Sequence, residues 1–215
     1  MNKQELKKIL NNMSEQEQLE AVSRDAYSIQ YINRPSEKVQ LEAVNRNGLA
    51  IEYIDNPSEK VQLEAIRGDA YSIEYIDNPS EVVQLEAVSR NGLSIYYIDN
   101  PSEKVQLEAI SRDGSTIQYI DNPSERVQLE AVRIDGYYIK HIKNPSEYIK
   151  SIIDIIETSK RHIYVLHEPN KEPLFSVGCQ CNISKETFIQ RIYEKDGGLE
   201  QNPHRQEYLD ILNRY

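Results

Sequence analysis

A 22-residue unit recurs along this chain without an insertion, marked by Pro35, Pro57, Pro79, Pro101, Pro123 and Pro145, and Asn-Pro-Ser-Glu opens five of the six units. A fixed period of this length defines a solenoid, in which each unit packs only on its neighbours. A single unit cannot fold alone. Its roughly seven apolar side chains contribute about 1.5 to 3 kcal/mol each on burial, against about 1 to 2 kcal/mol for every backbone residue fixed. Stacking must therefore bury both flanks, and the array needs ends. Leu6, Ile9 and Leu10 precede the first unit, and Ile149, Ile152, Ile153 and Ile156 follow the sixth.

The unit from Asn56 to Asp77 carries its own punctuation. Asn56 is read as an N-cap, Pro57 as the first helical residue and Glu59 as the carboxylate of a capping box. Gly48, Gly92, Gly114 and Gly136, each after Asn or Asp, are read as left-handed residues ending a helix of about three turns. Ala26 and Ala70 take that place in two units, which leaves Asp25 and Asp69 as the turn residues. A shorter helical segment such as 49–55 then returns to the next Asn-Pro. The expectation is a mainly α fold: a solenoid of two-helix repeats with a capping helix at 1–12, six repeats over 13–144 and a closing helix over 145–158.

On a helical wheel Val39, Leu41, Ala43 and Val44 form one apolar arc, and Gln40 falls in its middle. Gln18, Gln62, Gln84, Gln106 and Gln128 occupy the same place. An inward amide left unpaired costs about 1 to 3 kcal/mol, so a ladder is expected in which each glutamine bonds a loop backbone group. The opposite side carries Glu20 with Arg24, Glu42 with Arg46, Glu86 with Arg90 and Glu108 with Arg112, four apart, and Glu64 with Arg67 and Glu130 with Arg133, three apart. That is a solvated, salt-bridged face.

The Asn-Pro-Ser-Glu, Val-Gln-Leu-Glu-Ala-Val and Tyr-Ile-Asp segments resemble the short paired-helix repeats of uncharacterised bacterial, phage and large-DNA-virus proteins, similar in style to leucine-rich-repeat variants and HEAT arrays. The resemblance covers residues 13 to about 157. It implies a superhelical interaction scaffold and no reaction.

Residues that vary while the frame repeats are free to be tuned to a partner. In the second segment, Ala50, Ile51 and Ile54 face the core, whereas an exposed column reads Gln30, Glu52, Glu74, Tyr96, Gln118, Lys140. Beside it run Tyr31, Tyr53, Tyr75, Tyr97, Tyr119 and His141, then Asp55, Asp77, Asp99 and Asp121. Tyrosine is a favoured interface residue, and the candidate contact set is Glu52, Glu74, Tyr75, Asp77, Tyr96, Tyr97, Asp99 and Asp121. Charge agrees. Residues 1–158 hold 17 Lys+Arg against 27 Asp+Glu, while 159–215 hold 8 of each, so the formal charge of -10 sits on the repeats. Such an array repels nucleic-acid phosphates and suits a protein with a basic surface.

After Ser159 the period stops, and the pattern reads as a β-hairpin followed by two helices, a ββαα unit over 159–215. Ser184 is read as the cap of the first helix, Gly197-Gly198 as its stop and Asn202-Pro203 as the start of the second. A core of under 60 residues is marginal, so this part is expected to cap the solenoid. Cys179, Cys181, His162, His167 and His204 are the residue types of a zinc site or a thiol nucleophile, but His162 and His167 lie five apart and the paired spacing of a zinc knuckle is missing. The sequence holds no phosphate loop, dinucleotide fingerprint or Ser-His-Asp signature. No cofactor and no metal are expected.

The leading expectation is a non-enzymatic, cytoplasmic protein-protein interaction scaffold without membrane contact. Two rivals belong to other classes. One is a phage-type inhibitor that mimics DNA on a host nucleic-acid-binding protein; the other is a small enzyme or metal site in the C-terminal domain. The absence of an apolar leader, of a span of about 20 apolar residues and of separated cysteines underlies the cytoplasmic expectation.

Overall fold

The computed structural model describes residues 2–157, 162–177, 180–194 and 204–215. By internal contacts the chain forms two compact units, Met1–Thr116 and Ile117–Tyr215. The division falls inside a 3-10 segment, Gly114–Tyr119, rather than at the 158/159 boundary where the sequence period ends.

In the first unit, α1 (Lys3–Asn12), which packs on the segment Ala26–Tyr31, is followed by α2 (Glu15–Arg24), α3 (Glu37–Arg46), α4 (Glu59–Gly68), α5 (Glu81–Arg90) and α6 (Glu103–Arg112), and from α2 onward each helix packs on the next. Between them lie 3-10 segments at Ala26–Tyr31, Gly48–Tyr53, Ala70–Tyr75 and Gly92–Tyr97. The repeat is thus one α-helix and one 3-10 turn pair. Val39, Ala43 and Val44 of α3 and their equivalents in α4, α5 and α6 are fully buried, as are Ile51, Ile73 and Ile95 from the 3-10 side.

Three local readings are corrected. The N-cap is the serine of Asn-Pro-Ser-Glu: the Ser58 hydroxyl accepts from the Val61 N–H at 3.4 Å, and Ser36, Ser80 and Ser102 repeat the contact. Asn56, Asn78 and Asn100 instead adopt φ of 49°, 49° and 50°, a left-handed turn that asparagine tolerates best after glycine. The following glutamate closes no box with its own helix. Ser80 Oγ donates to Glu59 at 2.6 Å and Ser58 Oγ to Glu37 at 3.2 Å, so each cap serine also ties its repeat to the one before. In α1 and α2, by contrast, Asn2 with Glu5 and Ser14 with Glu17 do form capping boxes.

The glycines are the third correction. Asn47 and Asn91 end their helices in extended conformation and accept from the N–H two residues on, which starts the 3-10 segment. Gly48 and Gly92 are there for space. A Cβ at Gly92 would stand 2.8 Å from the Ala109 carbonyl oxygen of the next repeat, and one at Gly48 would stand 2.4 Å from that of Ala65.

The glutamine column is bonded. Gln40, Gln62, Gln84 and Gln106 each donate their side-chain amide at 2.9 Å to the carbonyl of the proline five residues earlier, while Gln18, with no such proline, reaches the Leu10 carbonyl at 3.0 Å. These four bonds close the left-handed turn onto its own helix. The side chains are half-buried rather than sealed.

The second unit continues the pattern through α7 (Glu125–Ile134), the 3-10 segment Gly136–His141 and α8 (Glu147–Ser151). Gln128 is buried here; its amide donates to Pro123 and its oxygen accepts from the Ser146 N–H at 2.8 Å. The closing helix expected over 145–158 ends at Ser151. The Ile-Ile-Asp-Ile-Ile run, rich in β-branched residues, becomes β1 (Ile153–Glu157). It pairs antiparallel with β2 (His162–Leu166), which pairs with β3 (Leu174–Val177), which pairs with β4 (Gln180–Ile183). The hairpin seen in the sequence is the middle of a four-stranded sheet. The helices α9 (Lys185–Glu194) and α10 (His204–Leu212) complete the unit; the expected Gly197-Gly198 stop and Asn202-Pro203 start lie outside the described residues.

Alternation along β2 explains the capping. Ile163 and Val165 join Phe175, Phe188, Ile211 and Leu212 in one core, with Phe175 and Phe188 stacked at 5.6 Å. Tyr164, Leu166 and Ser176 are buried as well, and Ser176 Oγ accepts from the Gly136 N–H at 3.2 Å while Asn182 donates to the Val132 carbonyl at 3.0 Å. The sheet is therefore covered on both faces and caps the flank of α7.

Candidate functional site

The 3-10 segments of the first unit set the site. Side chains three apart eclipse in such a helix, so Ile51 and its counterparts turn inward together while Glu52 and Glu74 turn outward. Ile54, Ile76 and Ile98 are buried as each segment ends, and Asp55, Asp77 and Asp99 immediately after them are exposed. Gln30, Glu52, Glu74 and Tyr96 of the variable column are all exposed, as read from the sequence.

Rings line this face. Tyr53 and Tyr75 are 39% and 40% exposed, Tyr31 and Tyr97 are half-buried, and Tyr96 is 64% exposed. Tyr27 meets Tyr53 edge-to-face at 5.9 Å, Tyr71 meets Tyr97 at 6.0 Å, and Tyr97 meets Tyr96 at 5.0 Å. Tyr27 and Tyr71 were not among the sequence candidates. Their signal was the Asp two residues earlier, whose turn starts the segment and sends the ring toward the next repeat.

Three of these phenols are raised above their usual range. A hydrogen bond to Glu52 is the main reason the Tyr53 hydroxyl sits above its usual range; charge repulsion from Glu74 does the same for Tyr75. Desolvation, followed by Glu74, raises Tyr97.

Pairing distinguishes this face from the helical one. On the α-helix side Arg90 binds Glu86 at 2.8 Å, Arg112 binds Glu108 at 3.2 Å, and Arg67 binds Glu64 at 3.1 Å. Arg24 and Glu20 stand at 4.0 Å, whereas in place of the expected Glu42–Arg46 pair Glu42 accepts a hydrogen bond from Ser23 of the preceding repeat. A shallow groove of about 750 Å³ runs over α2 to α4, lined by Glu20, Arg24, Lys38, Glu42, Lys60 and Glu64 among others, with the two signs balanced. Among the described residues, no cation lies within ion-pair distance of Glu52, Asp55, Glu74, Asp77 or Asp99. Asp121 differs. It belongs to the second unit and pairs with Lys143 at 2.5 Å, so its charge is already offset.

The C-terminal candidates are dispersed. Cys181 donates to Asp135 at 2.9 Å, His162 faces Glu157 at 3.4 Å, and His167 faces Asp154 at 3.3 Å. Asp154 also accepts from the Tyr215 hydroxyl at 2.8 Å; burial and that bond push the phenol up to about 12. The Tyr215 ring packs on His167 at 4.9 Å, so this group fastens the chain after α10 to β1. Cys179 and the side chain of His204 lie outside the described residues. Among the described residues no three His, Cys, Asp or Glu side chains converge to hold a metal ion, and no helix is long and apolar enough to cross a membrane.

No family, curated protein or solved structure matches this chain. The function has to be argued from the surface itself.

Proposed function

We propose that this chain is a non-enzymatic, cytoplasmic interaction scaffold of the short paired-helix repeat class, whose 3-10 face binds a protein with a basic surface. One observation carries this reading: the carboxylates of Glu52, Asp55, Glu74, Asp77 and Asp99 stand on the face of the exposed tyrosine rings without cationic partners, whereas on the helical face Glu64, Glu86 and Glu108 are paired with Arg67, Arg90 and Arg112. Unpaired acids next to rigid amphipathic rings supply steering and contact area together. The same acidity disfavours direct binding to nucleic acid or to anionic lipid.

The test is a triple variant, Glu74→Lys, Asp77→Lys and Asp99→Lys, used beside the parent as bait. A captured protein is purified and its affinity measured at about 0.05 and 0.5 M salt. The reading expects parent binding that weakens with salt and falls at least tenfold in the variant, with unchanged helicity. Equal affinity for both baits overturns it, and a captured nucleic-acid-binding protein displaced by duplex DNA would establish the mimic reading instead.

A further inference from the structure

We propose that Tyr71, Tyr96 and Tyr97, with Glu74, form a receptor notch for an arginine guanidinium presented by the basic partner, an inference that rests on the scaffold reading above. Tyr97 stands nearly perpendicular to both neighbours, at 82° to Tyr71 and 87° to Tyr96, with centroids 6.0 and 5.0 Å away. These three rings thus meet at one corner. Tyr96 is 64% exposed and Tyr71 37%, so ring surface reaches solvent where a sealing role would have buried it.

The repeat frame does not ask for this corner. At the position of Tyr96 the other units carry Gln30, Glu52, Glu74, Gln118 and Lys140, and they fold in the same register without a ring. An aromatic ring at position 96 is therefore not required by the repeat frame. Glu74 occupies the same column one repeat earlier, and stacked helical layers lie about 8 to 10 Å apart. The proposed guanidinium lies between them, with one edge toward the carboxylate and its face on the ring.

Chemistry selects guanidinium over ammonium. Arginine is planar, weakly hydrated and stacks on aromatic faces, whereas the lysine ammonium is a compact, strongly hydrated charge. The carboxylate of Glu74 gives the forked donors an acceptor.

The experiment uses capped nona-arginine and nona-lysine as probes on the full chain at about 0.15 M salt. Nona-arginine should bind about tenfold more tightly than nona-lysine. Tyr96→Gln, a residue two other units carry at this position, should remove most of that preference; Tyr96→Phe should keep it; Glu74→Gln should weaken both peptides. Equal binding of the two peptides, failure of both to bind, or a preference unchanged in Tyr96→Gln overturns the notch. The scaffold reading is separable. A captured partner that loses affinity for the triple lysine variant but not for Tyr96→Gln overturns the notch alone, while indifference to both variants overturns the scaffold reading as well.

Discussion

Arg133 on α7 grips both carboxylate oxygens of Glu168, with Nε 3.1 Å from each and a further, shorter contact from Nη2. Glu168 is only 9% exposed and also receives Lys171 at 3.0 Å. Inside the second unit this pair fastens the last full repeat helix to the turn that follows β2. The Arg133 hydrogen bond holds the Glu168 carboxyl below its usual range. A depressed carboxylate pKa contributes stability above the unfolded value, about 4.3, and loses it as pH falls through the folded value. Glu168→Gln should therefore destabilise by about 1 to 2 kcal/mol at neutral pH, a value discounted because Arg133 is 39% exposed. Thermal unfolding, with amide exchange in β2 reporting on the sheet, should show the gap closing below about pH 4.

The glutamine column sets a second prediction. Gln84→Ala removes the donor to the Pro79 carbonyl and should cost about 1 to 3 kcal/mol, whereas exposed Lys104→Ala should stay within about 0.5 kcal/mol. Urea midpoints for the two variants decide this. Equal midpoints would mean that the bond adds nothing to the turn it closes.

Two glycines of neighbouring repeats should respond with opposite sign. Gly92→Ala forces a methyl to 2.8 Å from the Ala109 carbonyl and should destabilise by about 1 to 3 kcal/mol; the alanines at 26 and 70 indicate that a repeat can give a few tenths of an ångström. Gly68→Ala sits in the last turn of α4 with its nearest neighbour at 3.4 Å, and should stabilise by up to about 1 kcal/mol through helix propensity. Melting temperatures moving in the same direction would contradict the spatial account.

Arg34 supplies a fourth. It holds φ at 50° where the later units place asparagine. Arg34→Asn should stabilise by about 1 kcal/mol, read as a higher urea midpoint, because asparagine adopts this conformation at lower cost. An unchanged midpoint would show that the turn relaxes around arginine.

What the sequence disclosed and concealed follows from what repetition encodes. The period, the inward glutamines, the exposed acidic column and the capping role of the C-terminal part are one-dimensional patterns, and they were legible. Asn-Pro-Ser-Glu contains two residues able to cap a helix, Asn56 and Ser58, and only backbone conformation distinguishes the cap from the left-handed turn. A glycine answers either a dihedral or a spatial demand with the same letter, so Gly48 and Gly92 were read the wrong way. The Ile153–Glu157 strand was hidden because an isoleucine run suits a helix flank as well as a strand, and its partner decides. In the candidate site, the Tyr71–Tyr97 contact was hidden because it joins different repeats, 26 positions apart.

The most direct test of the 3-10 face as the interface is amide hydrogen exchange on the chain alone and bound to its purified captured protein. Protection concentrated in Ala70–Tyr75 and Gly92–Tyr97, with α2 to α4 unchanged along their groove, is the result this account predicts. Protection confined to α2, α3 and α4, with both 3-10 segments exchanging as in the free chain, would contradict it.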